Sequence, residues 1–461
     1  MKTLSQARGS NVRLAMGFES SYATAATSGF TLKFNPGGVS ASRELNQAAT
    51  IQPGRSPAEP FQGNGDVNGS LVFPNDLNQQ FLMLKAAFGA PVTTAPASTK
   101  AISAVAASSV SGCVKLTVAS GHGIAVGDHF IVAGTANYNG EHVCTATTST
   151  TVEFKGDYTA ETVSDAFVSK DGFTHVFKIG DRQPSFTLEQ LHKDIAQGFT
   201  FLGCKVSSLA IGASSDGQEN TVTYGVMGSK PLSQNSAAIT AISGSTGAVV
   251  FTSSLPVSVG DSVCIAGTEN YDGIHAVTAV SGTGFTVNAT YVAETVAVGQ
   301  EPTCVKATFA SLSSYPLKRL GTFSASLKKD GVLYKCAKTF TLNFDMGLDG
   351  DQRVIGDNGY RSELPEGTVG ISGELTALYK DGALFEAGAN NATVAWELLF
   401  TAGEGVGSLK IEIPECKIQQ SSPTVDTAGG LSQNCTAQAF CSTSDNGGSA
   451  ATITLVNAYA A

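Results

Sequence analysis

The side chains of this 461-residue chain that could carry chemistry are six histidines, nine cysteines and the acidic residues of its glycine-rich stretches. His192, in Leu191-His192-Lys193-Asp194, has no serine-centred elbow to serve and reads as a loop residue. His142 and His275 stand at equivalent positions of an internal repeat, which points to packing or surface duty. His122 and His129 lack the spacing of a metal pair on one element. Cys113, Cys144, Cys204, Cys264, Cys304, Cys336, Cys416, Cys435 and Cys441 contain no C-x-x-C pair and read as small buried or surface thiols. Asp345, Asp349, Asp351 and Asp357 hint at calcium, but Arg353 sits among them and the EF-hand order is absent. Gly63-Asn64-Gly65-Asp66-Val67-Asn68-Gly69 resembles a phosphate loop only in its glycines, with no lysine and no helix start after it, and is expected to be a turn. The expectation is therefore no catalytic, cofactor or metal site, and no enzyme. A carbohydrate-active site would need a carboxylate pair and an aromatic cleft, and the single tryptophan, Trp396, gives little stacking surface.

With chemistry thin, the elements themselves must carry the function. The length suggests two to four folded units. Charged residues are 14% and apolar residues 42%, with 51 glycines and 24 phenylalanines, a profile of strands and turns rather than long helices. Mean hydropathy is +0.07, enough for buried cores, and no apolar run reaches the length of a membrane span. The formal charge is −10, from 28 basic and 38 acidic residues, with no Lys/Arg cluster to hold phosphates. Met1-Lys2-Thr3-Leu4-Ser5-Gln6 has no apolar signal core, so folding in a cytoplasm is expected, and the sequons at Asn288, Asn391 and Asn434 carry no meaning without secretion.

Self-comparison reveals two duplications. Val126-Gly127-Asp128, Ala133-Gly134-Thr135, Asn137-Tyr138-Asn139-Gly140, His142 and the run from Tyr158 through Ala160-Glu161-Thr162-Val163 recur 133 residues later as Val259-Gly260-Asp261, Ala266-Gly267-Thr268, Asn270-Tyr271-Asp272-Gly273, His275 and Tyr291 with Ala293-Glu294-Thr295-Val296. These define two small all-β modules, 101–171 and 238–305, whose Asn-Tyr-Asn-Gly and Asn-Tyr-Asp-Gly are expected to make tight hairpin turns. Their flanks consist mainly of small, polar or proline residues suited to surface insertion.

What remains is 1–100 with 172–237, and 306–461. Phe30-Thr31-Leu32-Lys33-Phe34 returns as Phe340-Thr341-Leu342-Asn343-Phe344, an offset of 310 that also aligns Arg43 with Arg353. Val67-x-Gly69-Ser70-Leu71 matches Ile371-x-Gly373-Glu374-Leu375, and Cys204-Lys205-Val206 matches Cys416-Lys417-Ile418. One good helix is predicted, capped by Asn75 or Asp76, striped by Leu77, Phe81, Leu84 and Phe88, and ended by Gly89; 381–387 is its shorter counterpart. Two polar stretches, 35–66 and 345–368, read as long functional loops.

Arg8-Gly9-Ser10-Asn11-Val12-Arg13-Leu14-Ala15 leading to Phe18-Glu19-Ser20-Ser21-Tyr22-Ala23-Thr24, Phe186-Thr187-Leu188-Glu189, Phe201-Leu202-Gly203-Cys204-Lys205-Val206, and 221–227 ending at Gly228 together resemble the major tail tube proteins of long-tailed, non-contractile bacteriophages, the siphovirus tail tube family. The resemblance covers both core halves and leaves out the modules. It implies a mainly β chain, a duplicated tail-tube β-sandwich or barrel with a flanking helix, plus two inserted modules similar to small immunoglobulin-like or SH3-like domains. It further implies a structural virion protein, assembled in the host cytoplasm, whose rings stack into a tube through which the DNA genome passes. With two tube domains per chain, trimers of pseudo-sixfold symmetry are expected, the long loops lying on neighbouring subunits and rings. The implied partners are further copies of the chain, a tape measure protein, a tail terminator, baseplate or tail-tip proteins, and double-stranded DNA in transit without specific binding. Repulsion by an acidic, weakly charged wall would keep that DNA from being held. The modules would decorate the outside, with host cell-surface glycans as a candidate ligand. The alternative is an extracellular β-repeat adhesin or surface-layer protein, which the missing signal and the interrupted core disfavour.

Overall fold

A computed structural model describes residues 6–51, 54–402, 405–425, 429–442 and 448–460. Opening residues 1–5, part of the expected signal-free start, lie outside the described residues. The chain is mainly β, with nineteen strands in one continuous sheet system, two closed six-stranded barrels and two α-helices.

The large sheet contains a four-strand block, used twice. In the first half Asn35–Asn46 pairs with Phe61–Pro74, which pairs with Thr221–Gly228, which pairs with the second part of Gln197–Ser214. In the second half Ala337–Asp345 pairs with Gly370–Leu378, then Ser432–Ala439, then the end of Ser408–Ile418. The registers repeat as well as the order. Leu71 faces Tyr224 as Leu375 faces Cys435, and Lys205 faces Met227 as Lys417 faces Gln438. Alternation along each strand turns Val67, Leu71, Val206, Val226, Phe340, Phe344, Ile371 and Leu375 into one shared core, because successive side chains of a strand take opposite faces.

The register corrects one sequence alignment. Phe344 faces Ile371, and the residue facing the equivalent Val67 is Ala41, so the true offset in this strand is 303 rather than 310. Phe30 instead pairs with Met16 and stacks on Tyr315 at 5.4 Å. Any strand with one buried face can repeat Phe-x-Leu-x-Phe, so that motif alone could not set the alignment.

α1, Leu77–Phe88, has the predicted stripe and the predicted ends: Asp76 accepts from Asn78 N at 2.9 Å and Gln79 N at 2.6 Å, and Gly89 takes φ +89°. Its polar side is buried too, since Gln79 exchanges hydrogen bonds with both backbone groups of Lys33 and Asn78 donates to Pro316 O. α2, Ala383–Ala389, is the shorter counterpart and buries only Leu384.

The halves share strands. Phe173–Lys178, which lies in the first half by sequence, pairs with Thr452–Asn457 of the second and carries Val92–Thr94 with it. Ser311–Ser314, which follows the second module, pairs in parallel with Ser28–Leu32 of the first half. Division of the chain at 172–237 and 306–461 therefore does not coincide with division of the sheet. His175 rivets this shared region, fully buried, with Thr93 Oγ1 at 2.9 Å and Asn457 and Tyr459 O at 3.2 and 3.0 Å from its ring nitrogens.

Each barrel closes on itself, so it has no free strand edge. One runs from Thr99–Ala107 to Phe167–Ser169, the other from Ser236–Ser245 to Thr303–Lys306. The repeated motif proves to be a corner rather than a tight turn. Six residues, 134–139, separate His129–Ala133 from Gly140–Thr147; the Asn139 carboxamide accepts from Thr135 N and Oγ1, and Tyr138 Oη donates to Thr159 O. Thr268, Asp272, Tyr271 and Val292 O repeat this bond for bond. The positive φ falls on Gly140 (+132°) and Gly273 (+137°), not on the asparagines.

Candidate assembly surfaces

The two blocks meet at an antiparallel junction in which residues 208–214 pair one for one with 345–339, from Ser208 with Asp345 to Ser214 with Thr339. The last strand of one block thus pairs with the first strand of the next. By the repeat, the first strand of the first block should present the same edge that Ala337–Asp345 uses here. Asn35–Asn46 pairs only with Phe61–Pro74, and no strand covers its other edge among the described residues. At the opposite end, 420–425 follow Cys416-Lys417-Ile418 as 208–213 follow Cys204-Lys205-Val206, and form no strand. The chain thus ends in a free acceptor edge on one side and a free segment equivalent to its mate on the other.

The segment 346–369 locks the internal junction. Arg361, 6% exposed, donates to Gly350 O, Val67 O and Gly228 O at 2.8–3.1 Å and pairs with Asp66 at 2.6 Å. Arg353 donates to Gly65 O at 2.9 Å and reaches the same carboxylate at 2.7 Å, while the Arg43 guanidinium lies 4.7 Å from the Tyr360 ring centre. Lys205 Nζ binds Leu364 O and Glu366 at 2.8 and 2.6 Å. Burial would raise the Glu366 pKa, but the Lys205 ammonium and the Gln183 N–H outweigh it and hold the carboxyl below its usual value. Arg43 and Arg353 are therefore not equivalents; they converge on one loop from two sides.

The expected long loop 35–66 is mostly a β-hairpin, and only its tip, 47–60, is irregular. Likewise Gly63 to Gly69 is strand, not turn: a Cβ on Gly65 would collide with the Tyr360 ring and one on Gly69 with Gly38 O, so glycine is needed for close approach. Both loops end in exposed apolar side chains, Leu45, Ile51 and Phe61 at one tip and Val354 and Ile355 at the other.

The modules dock through one shared face. Ile131 and Ala133 of the first pack on Phe173 and Ala458, and Cys264 and Ala266, their equivalents in the second, pack on Leu191 and Ala196. Glu141 adds a polar tie, accepting from His129 Nδ1 at 2.7 Å and Val406 N at 3.2 Å and pairing with Lys318.

None of the scrutinised side chains converge on a reaction centre. His142 lies 4.0 Å from the Phe154 ring with Nε2 on Tyr138 O at 2.8 Å, and burial lowers its pKa; His275 repeats the bond to Tyr271 O. His192 ends the strand Phe186–His192, with the turn beginning one residue later than expected. His122 bonds Thr148 O. Asp349 spends its oxygens on Asp351 N and Gln352, and no cluster of three metal-ligating side chains occurs among the described residues. The four-strand block and its free edges left no motif in the sequence; the Val67/Ile371 and Cys204/Cys416 matches were the signal that could have located them.

No curated protein matches the chain. The profile of the phage tail tube protein family does, over residues 9–439. That span takes in both four-strand blocks, their junction and the locking loop, and the chain belongs to the phage tail tube protein family, a structural component of the virion tail.

Proposed function

We propose that this chain is the repeating unit of the tail tube, with three copies closing a pseudo-sixfold ring and rings stacking into the conduit for the genome. One observation carries the reading: two equivalent four-strand blocks are already joined within the chain, by pairing of 208–214 with 339–345, and the outer edges are the two halves of a second such joint. Residues 419–425 of one protomer then pair with the free edge of Asn35–Asn46 in the next. Pro423 takes the place of Ile211 and must turn its nitrogen away from the partner strand. The hairpin tip 47–60 lies on the neighbour as 346–369 lies on the first half, and the exposed Leu45, Ile51, Phe61, Val354 and Ile355 are covered by adjoining protomers and rings.

The two tube domains are 1–100 with 172–237 and 306–461, exchanging edge strands, and 101–171 and 238–305 are inserted modules that face outward. The modules fold back onto the core rather than string end to end, which argues against an adhesin. Tape measure, terminator and tail-tip proteins contact the tube's lumen and ends, and assembly takes place in the host cytoplasm. A symmetry-resolved reconstruction of recombinant tubes tests the reading. Three chains per ring are expected; six would refute it.

A further inference from the structure

Resting on that reading, we infer that the wall past which the DNA slides is an uncharged surface of hydroxyl and amide groups, so that duplex DNA passes without ion pairing of either sign. The face of the double block opposite the core is the one that a closed ring turns inward. One register row across it runs Val72, Thr223, Ala210, Asn343, Ser372 and Gln438. Over the segments 68–72, 208–214, 221–225, 339–345, 370–376 and 434–438 there is no lysine or arginine, and the acids are Asp345 and Glu374.

This is not a reflection of overall composition. The chain carries 66 charged side chains, the sum of 28 basic and 38 acidic, and they are placed elsewhere. The cation nearest to this face in the second block, Lys417, is held by Asn391 O at 2.6 Å and Thr393 Oγ1 at 2.9 Å. Its equivalent in the first, Lys205, is covered by the loop through Leu364 and Glu366. Both are thus tied back rather than offered to a phosphate. The repulsion expected from the net charge of −10 is not a property of this surface. Duplex DNA binds basic proteins with an affinity that falls steeply with salt because counterions are released. A wall without cations releases none, and hydroxyl and amide groups exchange hydrogen bonds with water as readily as with phosphate oxygens.

The test uses assembled tubes of the full chain and short duplex DNA. Retention of DNA by wild-type tubes is measured by co-sedimentation from about 50 to 500 mM salt, beside tubes of the triple variant T341K/S372K/Q438K. Wild-type tubes are expected to retain no more than the mixing volume at every salt concentration, and the variant to retain DNA with a steep salt dependence. Salt-dependent retention by wild-type tubes, or retention unchanged by three added lysines, would overturn the inference. The orientation is checked separately by Thr436→Cys: the soluble protomer should react with both a small maleimide and a polymer-linked maleimide too large for the lumen, and the tube with the small one alone. Reaction of the tube with the large reagent, beyond the background of the exposed Cys441, would overturn it while leaving the ring intact. Tubes absent from wild-type preparations would instead sink the ring reading, and this inference with it.

Discussion

Proline at the free edge of Asn35–Asn46 probes the joint between protomers. Successive residues of a strand turn their N–H groups to opposite edges, so of Ser40→Pro and Ala41→Pro one removes a donor facing Phe61–Pro74 and the other a donor facing outward. The first should lower the melting temperature of the soluble protomer; the second should not, since an edge strand tolerates proline on its open side. The internal joint supplies the scale. Its seven residue pairs correspond to about seven backbone hydrogen bonds, each contributing about 0.5–1.5 kcal/mol net. Losing one bond and leaving its carbonyl partner unpaired in a closed joint costs about 2–3 kcal/mol. That raises the critical concentration for tube assembly roughly 30- to 150-fold, at 1.4 kcal/mol per factor of ten. Sedimentation of tubes against total protein reads the critical concentration, and thermal melting of the protomer identifies which variant is which. Assembly at the wild-type concentration by the variant with unchanged melting would refute the joint.

Three further outcomes are expected. Arg361→Ala strips the buried fork from Val67 O, Gly228 O and Gly350 O; with Asp66 still paired to Arg353, the loss is about 3 kcal/mol, seen as a lower urea midpoint for the core, and Arg361→Lys should recover little of it because an ammonium lacks the planar fork. Acid should loosen the core in two stages: burial lowers the pKa of His175 below 6.5, so stability present above that value declines as pH falls below it, and the depressed Glu366 loses its contribution as pH drops below 4.5 and through its folded value. His175→Gln should remove the first stage and Glu366→Gln the second in a pH series of melting temperatures. Replacing 101–171 and 238–305 by short Gly/Ser linkers should give thinner tubes of unchanged ring spacing, with some loss of melting temperature because Phe173, Ala458, Leu191 and Ala196 lose their cover; altered spacing would place the modules in the contact between rings.

The local pattern of the residues determined much of this protein. Asp76, the stripe from Leu77 to Phe88 and Gly89 specify α1 because capping and 3.6-residue periodicity are properties of neighbours in the chain. The 133-residue repeat marked both barrels for the same reason, and the absence of any convergent His, Cys or Asp/Glu set spoke against catalysis from the outset. Tertiary structure decided what depends on distant partners. Phe30 and Phe340 look alike in sequence, yet only pairing with Met16 in one case and Leu375 in the other reveals that they occupy different strands of the block. Gly65 reads as a turn until Tyr360 is found against it, 295 residues away in sequence. Phe173–Lys178 belongs by order to the first half and by hydrogen bonds to the second. Strand pairing is non-local, since a strand specifies which face it buries but leaves open which edge it will meet. For that reason the free edge of Asn35–Asn46 and its mate at 419–425 became visible only once the internal joint had been seen.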